Sequence, residues 1–354
     1  MEDRYQLYDD PFRFYAAMLN DIALAKSEIL VEFYRFNQDA IGERFRNALA
    51  EAAARGVKVK VLVDSWGTGR ADAFFAALTC RGGEVRYFRK IKLFWDFFTK
   101  NHKRNHRKLL VVDQEIAWTG SANLTAYSLN WREMMLRACG SLAPVLARTF
   151  HESFEIYKKY IFKKFAFKRI LRHQGFEIIR DLPSIYRQQI KSRYEQLIRR
   201  ARTQIIIETP YFLPGHILRR DLMNAAMRGV EVLVLIPRHS DVRLVDLLRN
   251  HYQGMMHRAG VRYLFYEPSN LHAKIMMIDQ ELFSIGSSNF DYRSFRYMFE
   301  MIVIGRHPEV IRQLSDHIAG TIKQSIPFDY EKWLQRPGIE KAVEWLLIPF
   351  RHLL

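Results

Sequence analysis

The sequence predicts an α/β protein made of two repeated domains, each a mixed β-sheet flanked by helices. Two observations lead to this fold class. An apolar strand, an amphipathic helix and a second apolar strand follow one another twice along the 354 residues. In both copies the helix ends at Arg-Gly and the next strand begins at once, in RGVKVKVLVD (55–64) and RGVEVLVLIP (228–237). A repeat of this length indicates that one structural unit occurs twice.

The elements of the two copies follow the same order, and this order sets the predicted domain boundaries. After the strand, helix and strand, each copy continues with a further helix, then a strand in GGEVRYF (82–88) or AGVRYLF (259–265), then a hairpin. The predicted segments are an N-terminal domain over 1–150, a basic and aromatic helical connector over 151–180, a C-terminal domain over 181–325 and an amphipathic tail over 326–354.

Composition narrows the classes of function. The formal net charge of +17 attracts polyanions, so nucleic acid and an anionic lipid surface are both candidate partners. Cys80 and Cys139 have no metal-ligand spacing, which indicates a reducing compartment and no disulfide framework. The sequence starts without the apolar segment of a signal peptide, and none of its apolar stretches is long enough to cross a bilayer. We therefore expect a globular protein without a transmembrane helix.

A hairpin motif occurs once in each copy. Residues 105–125 read NHRKLLVVDQEIAWTGSANLT and residues 271–290 read LHAKIMMIDQELFSIGSSNF. Six pairs of positions match at the same internal spacing, and they are His106 and His272, Lys108 and Lys274, Asp113 and Asp279, Gly120 and Gly286, Ser121 and Ser287, and Asn123 and Asn289. Side chains two residues apart on a strand share one face, so each histidine lies beside its lysine. The ammonium group repels a metal ion and attracts an anion, so we expect no metal here.

The rest of the motif indicates an anion-binding corner. Asp113 and Asp279 lie at an odd offset from the histidine, and we predict that they fix the hairpin by hydrogen bonds from turn backbone or pair with a basic neighbour. Gly120 and Gly286 permit a tight corner, and the serine and asparagine that follow can hold an anion at a helix N-terminus. One copy alone would be consistent with an exposed hairpin, whereas two full copies favour a functional site.

The two motifs resemble the signature of the phospholipase D superfamily, H-x-K-x4-D-x6-G-S-x-N in two copies. The narrower resemblance is to bacterial cardiolipin synthases, and it rests on WREMMLRACG (131–140), TPYFLP (209–214), the RGVEVLVLIP strand and GSSNFDYRSFRYMFEM (286–301). It covers nearly the whole chain. The resemblance implies two phospholipase D-like domains that are related by a pseudo-twofold axis and build one active site from both motifs.

The resemblance also implies a role for each motif residue. His106 is expected to attack phosphorus and form a phosphohistidine, while His272 protonates the leaving alkoxide and then deprotonates the incoming alcohol. The reverse assignment stays open, since the motifs are locally alike. Glu133 and Glu300, which follow the motifs, are expected to orient the histidine rings. The side chains expected to hold the nonbridging phosphate oxygens are Lys108, Lys274, Ser121, Asn123, Ser287 and Asn289.

The reaction that the resemblance implies is phosphatidyl transfer, in which two phosphatidylglycerol molecules give cardiolipin and glycerol. Exchange of one phosphodiester for another conserves the bond type, so no cofactor, nucleotide or metal is expected. The alternatives are hydrolysis, as in a phospholipase D, transfer involving another lipid or alcohol, a scaffold without activity, and a phospholipase D-type nuclease.

Three segments bear on the choice between lipid and nucleic acid. FRKIKLFWDFFTKNHKR (88–104) and YKKYIFKKFAFKRILR (157–172) mix rings and aliphatic side chains with Lys and Arg, which suits a lipid interface, although the rings could also pack inward or stack on bases. The tail GIEKAVEWLLIPFRHLL (338–354) is expected to dock on the core or to dip into a bilayer. The expected partners are anionic phospholipid (phosphatidylglycerol and cardiolipin) and a membrane surface rather than nucleic acid, and the expected location is the cytoplasmic face of the inner membrane.

Overall fold

The N-terminal half of the molecule is built on one mixed sheet. A computed structural model describes residues 2–69, 71–88, 103–157, 169–184 and 186–351 of the chain. The strands of this half are β1 (Arg4–Tyr8), β2 (Glu28–Phe33), β3 (Lys58–Asp64), β4 (Glu84–Phe88), β5 (Arg104–Asn105), β6 (Lys108–Val112), β7 (Ile116–Gly120) and β8 (Met135–Cys139). The helices are α1 (Pro11–Ala23), α2 (Ala40–Ala54), α3 (Ala76–Thr79) and α4 (Leu142–Ile156).

The C-terminal half contains a second mixed sheet. Its strands are β9 (Ile170–His173), β10 (Phe176–Asp181), β11 (Gln204–Glu208), β12 (Phe212–Leu213), β13 (Glu231–Pro237), β14 (Val261–Tyr266), β15 (Ile275–Ile278), β16 (Leu282–Gly286), β17 (Phe290–Asp291), β18 (Met298–Gly305) and β19 (Ser325–Pro327). Its helices are α5 (Gln189–Arg200), α6 (His216–Met227), α7 (Arg243–Arg258), α8 (Tyr292–Tyr297), α9 (Pro308–Lys323), α10 (Tyr330–Leu334) and α11 (Gly338–Leu347).

The two sheets share one topology. The first runs β1-β8-β7-β6-β2-β3-β4 and the second β19-β14-β13-β11-β15-β16-β18-β10-β9. In each sheet three parallel strands, β2-β3-β4 or β11-β13-β14, continue into an antiparallel hairpin, β6-β7 or β15-β16, and then into β8 or β18. The predicted α/β fold with two repeated, helix-flanked mixed sheets is confirmed.

The repeated helices end where the sequence indicates. Helix α2 is capped by Asp39, whose carboxylate accepts hydrogen bonds from the backbone N–H groups of Ile41 and Gly42, each at 3.1 Å. It ends ahead of Gly56 at φ +88°, and α6 ends ahead of Gly229 at φ +89°, a conformation that glycine adopts without a Cβ penalty. This turn delivers the chain directly into β3 and β13.

The predicted helical connector over 151–180 is wrong in its second part. Helix α4 ends at Ile156, and residues 170–181 form β9 and β10 of the second sheet, with Asp181 of β10 opposite Glu300 of β18. Without β10 the backbone of buried β18 would lack hydrogen-bond partners along one edge, so pairing outweighs local helical preference. The aromatic and basic segments at 89–102 and 158–168 lie outside the described residues.

One hydrophobic core joins the two halves. Leu146 and Phe150 of α4 and Leu314 of α9 belong to a cluster that also contains Leu109 of the first sheet and Ile275 of the second. At its edge the buried imidazole of His317 bridges Asp9 and Glu208, with Nδ1 and Nε2 each 2.9 Å from a carboxylate oxygen. Burial opposes protonation of this ring, but the two carboxylates outweigh it and raise the pKa of His317.

The tail docks on the C-terminal half. The Trp333 ring lies against Gly254 of α7, where an added Cβ would be 2.1 Å from ring atom Cη2, and its Nε1 donates a hydrogen bond to the carbonyl of Asn250 at 3.1 Å. Glycine at this point of α7 therefore makes room for the indole. Within the described part of the chain, the helices are too short or too polar to cross a bilayer.

Candidate active site

The two histidine hairpins meet at the junction of the halves. Strand β5, just before the first histidine, pairs in parallel with β18 of the other half, and the His106 N–H donates to the carbonyl of Phe299 at 2.9 Å. In the opposite direction the His272 N–H donates to the carbonyl of Arg132 at 2.8 Å. Each hairpin is thus tied to the segment that follows the other motif.

Each histidine pairs with the acid of the opposite half. Nδ1 of His106 lies 3.0 Å from Oε1 of Glu300, and Nδ1 of His272 lies 2.8 Å from Oε1 of Glu133. All four side chains are buried or nearly so, which strengthens the interaction. Because Nδ1 is engaged in both rings, Nε2 is the nitrogen left to react. Neither motif histidine pairs with the acid that follows its own motif.

The motif serines hold these carboxylates in place. The Ser121 hydroxyl donates to Glu133 and accepts from the backbone N–H of Met134 at 2.8 Å. Ser287 donates to Glu300 and accepts from the N–H of Met301 at 3.0 Å. These two hydroxyls thus contact the orienting acids, and their binding to phosphate oxygens stays a prediction.

The motif lysines lie beneath the histidines. Nζ of Lys108 donates to the carbonyl of His106, and Nζ of Lys274 donates to the carbonyl of His272, each at 2.6 Å. An ammonium group has three protons, so each lysine retains donors for an anion. The oxygen Oδ1 of Asn123 accepts from the N–H of Arg35 at 3.3 Å, which leaves the amide nitrogen of this side chain for an anion. The carboxamide oxygen of Asn289 is buried without a hydrogen-bond partner among the described residues.

The motif glycines are required by a close backbone approach. A Cβ at Gly120 would lie 2.1 Å from the carbonyl oxygen of Met134, and one at Gly286 would lie 2.3 Å from that of Met301. These carbonyls belong to the residues next to Glu133 and Glu300. Any side chain at either glycine would push the strand that carries the orienting acid away from its histidine.

The motif aspartates anchor the hairpin turns at a distance from the histidines. Asp113 and Asp279 both have φ +52°. The Asp113 carboxylate accepts from the backbone N–H groups of Lys26, Ser27 and Glu28 at 2.7–2.9 Å. The Asp279 carboxylate accepts in the same way from residues 202–204. Burial alone would raise the pKa of each carboxyl, but these backbone hydrogen bonds outweigh it and lower the pKa.

Replacing Asp113 with Ala is expected to destabilise the fold. The change leaves three backbone N–H groups without their charged acceptor, and we expect a loss of about 1.5–3 kcal/mol in the free energy of unfolding. Because the folded-state pKa of Asp113 is lowered, this contribution is present above pH 3.8 and is lost as the pH falls below it. Urea unfolding at pH 7 and pH 3 checks both statements. Glu115→Ala, an exposed change in the same turn, is the control, and equal stability of the two variants would contradict the anchoring role.

Electrostatics distinguish the two histidine–carboxylate pairs. Burial, followed by the charges of Lys108, Lys274 and His272, holds the pKa of His106 well below its usual range. Burial also lowers the pKa of His272, but the neighbouring Glu133 opposes this shift. Because the charge of His272 acts on His106, the two rings share one electrostatic environment.

The paired acids differ in the same way. Burial, with a further contribution from Asp291, raises the pKa of Glu300 to about 8. Burial acts on Glu133 as well, but the charges of His272 and Lys274 outweigh it and lower its pKa. The position of Asp291 is occupied by Thr125 in the first motif. One extra carboxyl near Glu300 therefore breaks the symmetry of the site.

Sequence reasoning missed several supporting side chains. The ring of Tyr34 lies edge-on to His106 at 5.2 Å between centroids, and that of Trp131 lies 5.0 Å from His272. Buried Glu32 accepts from the side chain of Asn105 at 2.7 Å, next to the first histidine. A usable signal was present, because Glu32 is an acid between the apolar residues Val31 and Phe33 of strand β2.

Two imidazoles, two ammonium groups and two crosswise carboxylates in a duplicated fold define an enzyme of the phospholipase D superfamily. The sequence matches the family described as "Cardiolipin synthase, PLD-like domain" over residues 18–156 and 194–321. The chain belongs to this family and is an enzyme of the phosphatidyltransferase type.

Curated relatives agree with the family. A cardiolipin synthase of Listeria welshimeri is 30% identical over 98% of this chain and 75% of its own length. The major cardiolipin synthase ClsA of Bacillus subtilis is 31% identical over 94% of this chain and 72% of its own length.

Solved structures support the fold. The crystal structure of phosphatidylserine synthase from Haemophilus influenzae Rd KW20 has a TM-score of 0.77 at 13% identity and covers 99% of this chain and 95% of that chain. Polyphosphate kinase from Porphyromonas gingivalis has a TM-score of 0.64 at 14% identity, covering 99% of this chain and 53% of that chain.

Proposed function

We propose that this protein transfers a phosphatidyl group from one phosphatidylglycerol to a free hydroxyl of another, giving cardiolipin and glycerol. The observation that carries the proposal is the crosswise pairing of His106 with Glu300 and His272 with Glu133, which brings two imidazoles into one anion-attracting centre. The names of the relatives support the choice of lipid substrate.

The proposed reaction has two steps that conserve the phosphodiester bond. In the first, Nε2 of His106 attacks phosphorus and the bond from phosphorus to the head-group glycerol oxygen breaks. His272 gives its proton to that oxygen, so glycerol leaves and the phosphatidyl group stays on His106. In the second, a hydroxyl of another phosphatidylglycerol gives its proton to His272 and attacks phosphorus, and the phosphorus–nitrogen bond breaks. Lys108, Lys274 and the asparagine side chains stabilise the charge on the nonbridging oxygens in both steps.

The asymmetry of the site supports His106 as the nucleophile. The pKa of His106 is held well below the usual range, so this ring is a free base at neutral pH and its Nε2 lone pair is available. His272 faces Glu133, which stays ionised because its pKa is lowered, and an ionised carboxylate favours an imidazolium. Of the two rings, His272 is therefore the one that is more readily protonated, as its proposed role as the acid requires.

Binding of a phosphodiester anion is expected to draw a proton into the site. Burial and Lys274 lower the pKa of His272 below 6.5, so its ring is mostly neutral at pH 7 when no anion is present. A bound anion favours the imidazolium, which raises this pKa again. Calorimetric titration with diethyl phosphate at pH 7, in buffers of different ionisation enthalpy, should show net proton uptake. Uptake should disappear in His272→Ala and persist in His106→Ala, and the opposite pattern would reverse the two roles.

We further propose that α11 attaches the protein to the membrane surface. Ile339, Trp345 and Leu346 of this helix are 74%, 73% and 64% exposed, whereas Glu344 is only 2% exposed and pairs with Arg336 at 3.1 Å. The helix therefore turns Glu344 inward and presents these apolar side chains outward, which suits a lipid interface. Location on the cytoplasmic face of the inner membrane is part of this proposal.

The same helix lies near the rim of the catalytic centre. Leu347 packs against a small cluster that contains Tyr292, and Tyr211 packs against the same cluster. The Tyr211 hydroxyl donates to Asp241 at 2.6 Å, and the charge of Asp241 acts on His272. An apolar face in the bilayer would thus lie beside the place where a lipid phosphate must enter.

Removing the apolar face of α11 is expected to weaken vesicle binding. We expect Ile339→Ser combined with Leu346→Ser to bind phosphatidylglycerol vesicles about tenfold more weakly, because two side chains no longer leave water. Co-sedimentation measures this, and hydrolysis of a water-soluble phosphodiester should stay unchanged. Leu24→Ser, which removes a leucine that is 67% exposed elsewhere, is the matched control. Equal binding by both variants would remove α11 from the membrane interface.

The reaction itself is tested with purified protein and phosphatidylglycerol vesicles. Cardiolipin and glycerol in equal amounts support the proposal. Phosphatidic acid without cardiolipin indicates hydrolysis instead. Cleavage of single-stranded DNA without lipid turnover indicates a nuclease, the activity that the net charge of +17 would also suit.

A further inference from the structure

An open cleft of about 1240 Å³ lies apart from the catalytic side chains. It is bordered by α7, by the loop after β13 and by the segment that contains α10. Exposed Arg238, Arg243 and Lys332 lie on its rim, and buried Arg249 and Gln253 lie on its floor. None of the motif histidines, lysines or asparagines lines it. The cleft is therefore a separate basic cavity.

Two of its cations are available to a ligand. Arg238 pairs with Glu267, and Arg249 lies 3.2 Å from Asp246. The side chains of Arg243 and Lys332, by contrast, have no ion pair or hydrogen bond to any described residue. Both lie on the rim, where an anion entering from solvent would meet them first.

The floor lacks hydrogen-bond partners that its side chains require. Gln253 is only 1% exposed, and neither its amide oxygen nor its amide nitrogen has a partner among the described residues. Nε of Arg249 is unpartnered as well. Buried polar groups are nearly always hydrogen-bonded in folded proteins, so these groups indicate a polar occupant that both donates and accepts.

The remaining wall is aromatic. Phe265, Phe328 and Trp333 line the cleft beside the cations, and the Arg249 guanidinium lies 5.3 Å from the centroid of the Phe265 ring. Such a wall packs well against the C–H groups of a small polyol. The combination of free cations, an unpaired amide and rings fits a phosphate ester of glycerol better than a bare inorganic anion.

We propose that this cleft binds a glycerophosphate group, with its phosphate at Arg243 and Lys332 and its hydroxyls at the Gln253 amide. The proposal extends the proposed function. If the glycerophosphate is the head group of a lipid, the proposal also rests on the attachment of α11 to the membrane. Arg336, which holds Glu344 of that helix, also lines the cleft. A head group in the cleft would therefore belong to a lipid beside the attached helix.

Two adjacent residues of the loop after β13 relate the cleft to the catalytic centre. Ser240 lines the cleft, whereas the next residue, Asp241, accepts from Tyr211 and acts electrostatically on His272. A glycerophosphate in the cleft is thus on the far side of this loop from the reacting phosphate. It is a bound group and not the donor lipid in the act of transfer.

Hydrogen exchange locates the bound group without any need for turnover. With millimolar sn-glycerol 3-phosphate, the full chain carrying His106→Ala should exchange more slowly, by roughly threefold or more, in peptides covering 243–256 and 329–336. Arg243→Ala combined with Lys332→Ala should remove this protection, and Gln253→Met should weaken it. Arg262→Ala, a rim-distant exposed arginine paired with Glu231, should leave it unchanged.

Further measurements identify the source of the glycerophosphate group and the results that would contradict the proposal. Protection by phosphatidylglycerol vesicles but not phosphatidylcholine vesicles supports a lipid head group, and protection by the soluble ester as well supports the same chemistry without the membrane. Protection confined to peptides around residues 106 and 272 would overturn the proposal, as would protection that persists in the Arg243 and Lys332 double variant. Equal protection by inorganic phosphate, unaffected by Gln253→Met, would overturn the glycerol assignment. Since no catalysis is measured, failure here is distinct from failure of phosphatidyl transfer.

Discussion

His106→Ala and His272→Ala are each expected to abolish cardiolipin formation, but for different reasons that one substrate can separate. Loss of the nucleophile should lower the rate by roughly 10⁴-fold or more. Loss of the general acid should cost roughly 10²–10⁴-fold with an alkoxide leaving group. Thin-layer separation of the lipid products measures both losses, and His151→Ala, a histidine with a side chain 39% exposed, is the control.

The separating substrate is phosphatidyl-p-nitrophenol, whose leaving group needs no proton. His272→Ala should then release one equivalent of p-nitrophenolate in a burst and stop, because the acceptor alcohol can no longer be deprotonated. His106→Ala should give no burst. A burst in His106→Ala alone would reverse the proposed roles, and full turnover in either variant would contradict the two-histidine mechanism.

Glu133→Gln is expected to be far more damaging than Glu300→Gln at pH 7. Glu133 is ionised and holds His272 at 2.8 Å, so its replacement removes the charge that favours the imidazolium, with an expected loss of roughly 10²–10⁴-fold in kcat. Because burial raises the pKa of Glu300 to about 8, this acid is already mostly neutral at pH 7, and its amide should cost less than about tenfold.

The activity loss of Glu300→Gln is expected to depend on pH. Above pH 8 Glu300 ionises in the natural protein but Gln cannot, so the deficit of Glu300→Gln should grow as the pH rises through 8. The pH–rate profiles of the two variants check this, with thermal unfolding to confirm that both fold. Equal losses at pH 7 would mean that the two pairs are electrically alike.

Much of the fold and of the site could be predicted because the sequence contains an internal repeat. The matching positions of His106 and His272, together with the Arg-Gly helix ends, identify a repeated unit and its reactive face. In the folded protein the charge of His272 lowers the pKa of His106, and Glu133, which follows the first motif, raises that of His272.

The rest depends on how the halves face each other. Glu300 follows the second motif in sequence, yet its partner is the histidine of the first, because β18 lies beside β5. The local sequence around one acid does not determine which histidine ring it will contact. The contact between Ser287 and Glu300 is likewise visible only in the packed structure.

The connector shows a different limit of sequence reasoning. Residues 170–181 form a short hairpin around Gln174 and Gly175, which both have positive φ, but one two-residue turn is a weak local signal. They become strands because β18 offers an unpaired edge, with Ile179 opposite Ile302. A long-range partner decides the local conformation, and that partner is more than a hundred residues away.

The crosswise pairing of histidines and acids also makes the catalytic geometry depend on correct docking of the two halves. If the two halves shift apart, His106 and His272 lose their carboxylates in the same movement, since each acid travels with the opposite half. Partial loosening would leave both rings without their partners at once, rather than one reactive ring with its acid. A half-assembled molecule, such as one emerging during synthesis, would therefore be chemically silent toward the lipids around it.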